Sequence, residues 1–207
     1  QMNDPKNLID AIAAVPLRGG RRIIAIVGAP ASGKSTLAET LSADIPNSCI
    51  VPTDGFHRDN DDLSRHGLMS RKGAPETFDV AGFLKIVRSL AKQGEVDFPT
   101  FDRSKDCVVE QGGKILATDE TILVEGNYLL LDEAPWRDLA KFWDFSVFLD
   151  VPLEVLEVRL VQRWLENGYD QDGAVARAQG NDIPNAKRTV QCSMKADHVV
   201  SLGRSLT

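Results

Sequence analysis

Nine residues, GAPASGKST at 28–36, constrain the fold of this 207-residue chain more than any other feature. They follow an apolar run, RRIIAIV, and lead into KSTLAETLSADI, a segment with helical character. Gly28, four residues, Gly33, Lys34 and Ser35 form the GxxxxGK[ST] pattern between a predicted strand and a predicted helix. Glycines let such a loop wrap so that its backbone N–H groups face phosphates, and the helix N-terminus adds partial positive charge. The pattern makes Gly28, Ala29, Ala31, Ser32, Gly33, Lys34, Ser35 and Thr36 the nucleotide-binding candidates. Lys34 is expected to reach the β- and γ-phosphates of ATP, and the Ser35 hydroxyl to bind Mg²⁺. No NKxD segment for guanine recognition is present, which counts against a GTPase.

The remaining pattern alternates apolar strands with helices. SCIVPTD, TILVEGNYLLL, DFSVFLDV and HVVSLG read as strands; residues 4–13, DVAGFLKIVRSLAKQG, APWRDLAKFW and PLEVLEVRLVQRWLENG read as helices, the last with Pro152 at its first position. Two short helices are expected before the final strand. Residues 55–78 read as a long loop, and residues 96–118 as a β excursion of two pieces around QGG. This alternation implies an α/β fold, three layers with a mostly parallel sheet covered on both faces. We read residues 1–207 as one domain, with residues 1–20 an N-terminal helix and polar, glycine-containing residues 164–190 a lid.

Net charge is −6 and the pI about 5.1, so neither nucleic acid nor an anionic membrane is an expected partner. No segment approaches the roughly 18 apolar residues of a membrane span, and the N-terminus lacks a signal-peptide pattern. Cys49, Cys107 and Cys192 lie far apart without a CxxC. They read as reduced thiols of a cytoplasmic protein, packed as small buried hydrophobes.

Two predicted strands end in acids, Asp54 and Glu125. In open α/β sheets ligands lie at the carboxyl ends of the strands, which places both carboxylates beside the phosphate loop. Transfer of a phosphoryl group to a hydroxyl needs one carboxylate at the metal and one to take the proton. Either residue could contact Mg²⁺ through water. Phe56 and His57 would wall the acceptor pocket.

The ordered set GAPASGKST, TDGF, RKGAPETFD and VEGNYLL resembles the phosphoribulokinase, uridine kinase and bacterial pantothenate kinase group. With DGFH, FPTFDRSKD and GNDIPNA it is most similar to the subgroup labelled fructose (sugar) kinase or nucleoside-kinase-like. The resemblance runs from about Arg22 to Gly203. It implies Asp54 as general base, Glu125 as the metal-side carboxylate, and Arg163 on the transferring phosphate. Arg159, four residues before Arg163 on the same helix face, is a further nucleotide-binding candidate. Arg177 and Arg188 read as surface charges.

FPTFDRSKD occupies the acceptor segment, where those kinases carry Tyr-Asp or Tyr-Ser-His. Here it carries Phe101, Asp102 and Arg103. Asp102 and Arg103 suit vicinal hydroxyls, or Arg103 a carboxylate or phosphate on the substrate. Arg71, Lys72, Asn127 and Tyr128 are further pocket candidates. The resemblance orders small-molecule hydroxyl acceptors as sugar, nucleoside, then pantothenate-like alcohol. A nucleotide-binding regulatory ATPase is the alternative of another class; it would bind ATP without acceptor-stimulated turnover. A homodimer is left open.

Overall fold

The strand before the phosphate loop, β1 (Arg22–Gly28), is the middle strand of a five-stranded sheet in the computed structural model, which describes residues 5–92 and 94–202. The other strands are β2 (Ser48–Pro52), β5 (Thr121–Gly126), β6 (Phe145–Asp150) and β7 (His198–Ser201), in the order β2-β5-β1-β6-β7 with every adjacent pair parallel. Successive side chains of a strand face opposite ways, so a parallel sheet with two covered faces needs apolar residues at consecutive positions. Ile23, Ala25 and Val27 enter one buried cluster, Ile24 and Ile26 the other. Helices α1 (Pro5–Ala13) and α2 (Lys34–Asp44) cover the second face through Leu8, Ile12 and Leu41. Helix α4 (Val80–Leu90) covers the first through Phe83, Val87 and Leu90, and Asp79 caps it by accepting from the Gly82 N–H at 2.9 Å.

Hairpin β3 (Val96–Asp102) and β4 (Cys107–Ile115) stands apart from this sheet. Arg21, only 1% exposed, secures its base: the guanidinium donates to the carbonyls of Asp119 at 3.1 Å, Lys92 at 2.8 Å, Leu116 at 3.0 Å and Gly94. Helix α5 (Leu153–Glu166) follows β6, and Leu156 and Leu160 pack toward Ala29 of the phosphate loop and Ala178. Helices α6 (Gln171–Arg177) and α7 (Ile183–Cys192) are joined through a π-turn at 178–182, one helical run of three pieces. Pro184, at the start of α7, has no N–H and its ring crowds the carbonyl four residues back, which accounts for a widened turn there.

Several expectations need correction. The loop at 55–78 holds helix α3 (Asn60–Arg65) and one-turn 3₁₀ segments at 53–56, 69–71 and 75–77. Asp54 therefore lies on a helical turn just past β2. QGG lies inside β4 opposite Phe98 and Thr100, where the register shifts; the hairpin turn is at residues 103–106. Residues 127–131 leave the sheet yet stay largely buried, because a short apolar run packs equally well as irregular core. The 136–142 helix is 3₁₀, and Pro152 caps α5 from outside. Cys49 is partly buried, with burial raising its thiol to about 11, whereas Cys107 and Cys192 are exposed; all three are free. The expected helix start at Asp4 lies outside the described residues. No helix among the described residues is long and apolar enough to cross a membrane.

Candidate active site

At the carboxyl edge of the sheet a cavity of about 600 Å³ opens beside the phosphate loop. Gly33, with φ of 93°, sits at the N-cap of α2 and turns the chain from loop into helix, with Lys34 and Ser35 as its first residues. Ala31 also has positive φ, 65°, and the Ser32 N–H donates to the Ala29 carbonyl at 3.1 Å. Ala31, Gly33, Lys34, Ser35 and Thr36 line the cavity. Gly28, Ala29 and Ser32 lie behind it, buried, and the Ser32 hydroxyl has no protein partner. Arg159 also stays behind the loop, donating to the Ala31 carbonyl at 3.1 Å and the Ser32 carbonyl at 3.4 Å.

Asp54 reaches the same cavity because its turn is clamped on two sides. The Thr53 hydroxyl donates to the Glu125 carbonyl at 2.6 Å, tying the turn to the end of β5. A Cβ on Gly126 would come within 1.7 Å of that hydroxyl, and one on Gly55 within 1.9 Å of the Pro99 carbonyl in the hairpin. Only glycine permits both approaches. The hairpin thereby brings Arg103 onto Asp54, 2.7 Å between Nη2 and Oδ2. Opposite, the Ser35 hydroxyl donates to Glu125 Oε1 at 3.1 Å.

Burial governs the electrostatics of this edge. Desolvation holds the Lys34 ammonium below its ordinary value, although Glu125 and Asp54 pull it up; the charges of Arg103 and Arg163 depress it further. Desolvation likewise raises Glu125, against the attraction of Lys34. The cavity thus holds a lysine and a carboxylate, both destabilised in their charged forms. Burial also lowers His57, whose Nδ1 lies 2.8 Å from the Asp54 carbonyl. With its ring between Phe78 (4.3 Å) and Phe101 (4.9 Å), His57 forms an aromatic wall.

The other expected residues divide clearly. Asn127, Phe101 and Arg163 line the cavity, and Asn127 Oδ1 is buried without a protein donor. Phe56 is core, 5% exposed and 4.8 Å from the Phe83 ring; it does not line this cavity. Arg71 turns away to Glu76. Asp102 caps the hairpin turn, accepting from the Ser104 N–H at 2.9 Å and the Lys105 N–H at 3.2 Å. Tyr128 is core, its hydroxyl donating to the Gly73 carbonyl. Arg188 is no loose surface charge, since it bridges Glu133 and Glu76.

The profile of the phosphoribulokinase / uridine kinase family matches residues 23–204. The chain belongs to this family. Membership makes it a P-loop kinase, implies ATP binding and implies a small-molecule substrate. A protein from Silicibacter sp. TM1040, described as a "putative fructose transport system kinase", is 43% identical, with a TM-score of 0.91 over 95% of this chain and 98% of that one. The uncharacterized protein YggC of Escherichia coli is 36% identical over 97% of this chain and 86% of its own length. A "putative uridine kinase" of Schizosaccharomyces pombe is 33% identical over 80% and 76%.

Within this family fold, the cavity has walls that residue patterns did not supply. Lys72, one candidate among several from sequence, is fixed by Asp106 and Asn60 Oδ1, each at 2.7 Å, and lies 5.0 Å over the Phe101 ring. Trp164, Asn167, Asp182 and Asn185 also line the cavity. For Asp182 and Asn185 the signal was the motif GNDIPNA, whose polar residues had no chemistry to assign until the helical run placed them.

Proposed function

We propose that this chain is an ATP- and Mg²⁺-dependent kinase that transfers the γ-phosphate to a hydroxyl of a small neutral polyol, a sugar such as fructose first. The observation that carries the reading is that one cavity is lined both by the phosphate loop and by Asp54, His57, Lys72, Phe101 and Arg103, residues well outside that loop. A nucleotide switch needs no such second wall; an acceptor does.

In this reading Lys34 and the loop amides hold the β- and γ-phosphates, and Arg163 offsets charge on the transferring group. Asp54 takes the proton of the attacking hydroxyl, and Arg103, paired with it in the structure, must yield as the hydroxyl arrives. Ser35 and Glu125 fit Mg²⁺, since both offer hard oxygens and the ion is commonly held by one or two carboxylates together with substrate phosphates. Among the described residues no three acidic, histidine or cysteine side chains form a cation cage, which suits an ion arriving with its nucleotide. When bound, the ion neutralises charge on the β- and γ-oxygens. Residues 164–190 act as the lid.

Charge pairing supports a neutral acceptor. On the acceptor side Lys72 is paired with Asp106 and Arg103 with Asp54, so neither cation is without a carboxylate. An anionic acceptor would add like charge beside a triphosphate and compete with both carboxylates. The aromatic wall of His57, Phe78 and Phe101 offers apolar ring surface against which a sugar can pack. The test is ADP release from Mg-ATP with matched acceptors: fructose against fructose 6-phosphate, glycerol against glycerate, and uridine. At least a tenfold rise over water with a neutral member is expected. Preference for the anionic members would overturn the acceptor class, and no stimulation by any would overturn the kinase reading.

A further inference from the structure

The π-turn at 178–182 carries two residues that bond to different walls of the cavity. Toward the phosphate side, Asp182 Oδ2 accepts from the Trp164 indole N–H at 2.6 Å and faces Arg163 Nη2 at 3.5 Å. The Asp182 side chain is only 14% exposed and Arg163 is 40% exposed, so the carboxylate is the fixed member of the pair. Toward the acceptor side, Asn181 Nδ2 donates to the Lys72 carbonyl at 2.8 Å, and Asn185, 5% exposed, donates to Asn181 Oδ1 at 3.2 Å. Lys72 in turn carries the Asp106 and Asn60 contacts of the acceptor wall.

We propose that Asp182 is the positioning residue for Arg163, and that Asn181 joins the same turn to the acceptor wall, so that an occupied acceptor compartment favours the arginine setting that meets the γ-phosphate. An unpaired arginine samples many rotamers and loses that freedom on meeting phosphate. A buried carboxylate already held by an indole N–H reduces the loss, which is preorganisation for charge stabilisation. The π-turn makes this possible by giving Asn181 and Asp182, adjacent in sequence, different partners, Lys72 and Arg163. The inference rests on the kinase reading for the effect on turnover, but its binding consequences do not.

The test is a double-mutant cycle on the full chain with Asp182→Asn and Arg163→Ala. Affinities for Mg-AMPPNP, which carries a γ-phosphate group, and for Mg-ADP, which does not, are measured alongside fructose-stimulated ADP release. Asp182→Asn should lower the preference for AMPPNP over ADP about fivefold, with ADP affinity within twofold of wild type. In the Arg163→Ala background it should have no further effect. Additive losses, or equal weakening of both nucleotides, would overturn the assignment by showing a merely structural role. Asn181→Ala should leave that preference intact without fructose and abolish any gain that fructose produces in AMPPNP affinity. A gain that survives would overturn the link to the acceptor wall. If wild type shows neither stimulated turnover nor a fructose effect on binding, the kinase reading and the link fail together, while the AMPPNP cycle still decides the role of Asp182.

Discussion

The two halves of the cavity are built by different means. The phosphate half is one continuous piece of regular structure: a buried strand, a tight loop and a helix, with Glu125 delivered by the adjacent strand. The acceptor half is assembled from a 3₁₀ turn, a hairpin tip and a π-turn that meet only in three dimensions, held by exposed or half-exposed ion pairs. A phosphate chain is the same in every nucleotide, so its cradle can be rigid and generic. An acceptor varies, so its pocket lies on short elements that change without disturbing the sheet.

Two arginines at opposite ends of the hairpin show how differently one residue type can serve. Arg21 donates to four carbonyls at the hairpin base and is buried. Arg103 sits at the tip, its side chain 75% exposed, with one carboxylate. One holds the hairpin to the sheet, and the other faces the chemistry.

The comparison breaks most readily in the phosphate half. Lys34→Ala should lower kcat/KM about 10³-fold, in line with removal of a cation from a transferring phosphoryl group, and steady-state kinetics with Mg-ATP check it. Retained turnover would remove the loop from the reaction. Arg21→Ala should destabilise the fold by about 3 kcal/mol, because four carbonyls lose their donor, yet leave turnover per folded molecule nearly unchanged. Urea unfolding and activity at low temperature separate the two effects.

Glu125→Gln sharpens the contrast through pH. The folded chain raises the Glu125 pKa above its ordinary value of 4.5, so ionisation costs stability. The favourable balance is complete below about pH 4.5 and is lost as pH rises through the folded value. The glutamine variant, fixed in a neutral form, should therefore melt higher than wild type at pH 7.5 without nucleotide, and the gap should close toward pH 4. Melting curves across that range give the answer. The smallest effect on stability belongs to Arg103→Ala: an exposed pair contributes about 0.5 kcal/mol or less, so its melting temperature should stay within a degree or two while the acceptor KM shifts.

What the sequence made legible follows the same division. The phosphate half could be read because its chemistry is local: Gly28 to Thr36 carry spacing, strand and helix context in one stretch. The parallel sheet followed from apolar runs alternating with helices, whereas the strand order came only from the structure. The acceptor half could not be read to the same depth, because its contacts join residues up to 109 positions apart, as between Asn181 and Lys72. Phe56 and Asp102 look like pocket residues in a string, but one is needed to fill the core and the other to cap a turn. Arg71 and Lys72 are adjacent, and only the surrounding Asp106, Asn60 and Glu76 decide which of them faces the cavity.

That Asp54 takes the proton of the attacking hydroxyl is the central claim. Wild type and Asp54→Asn should be compared with labelled Mg-ATP and fructose, following the label into sugar phosphate and into free phosphate, with Mg-ATP affinity measured on the same samples. The account predicts labelled sugar phosphate from wild type and at least about 10²-fold less from the variant, with ATP affinity within twofold. Equal sugar phosphate from both proteins, or label only in free phosphate from wild type, would contradict it.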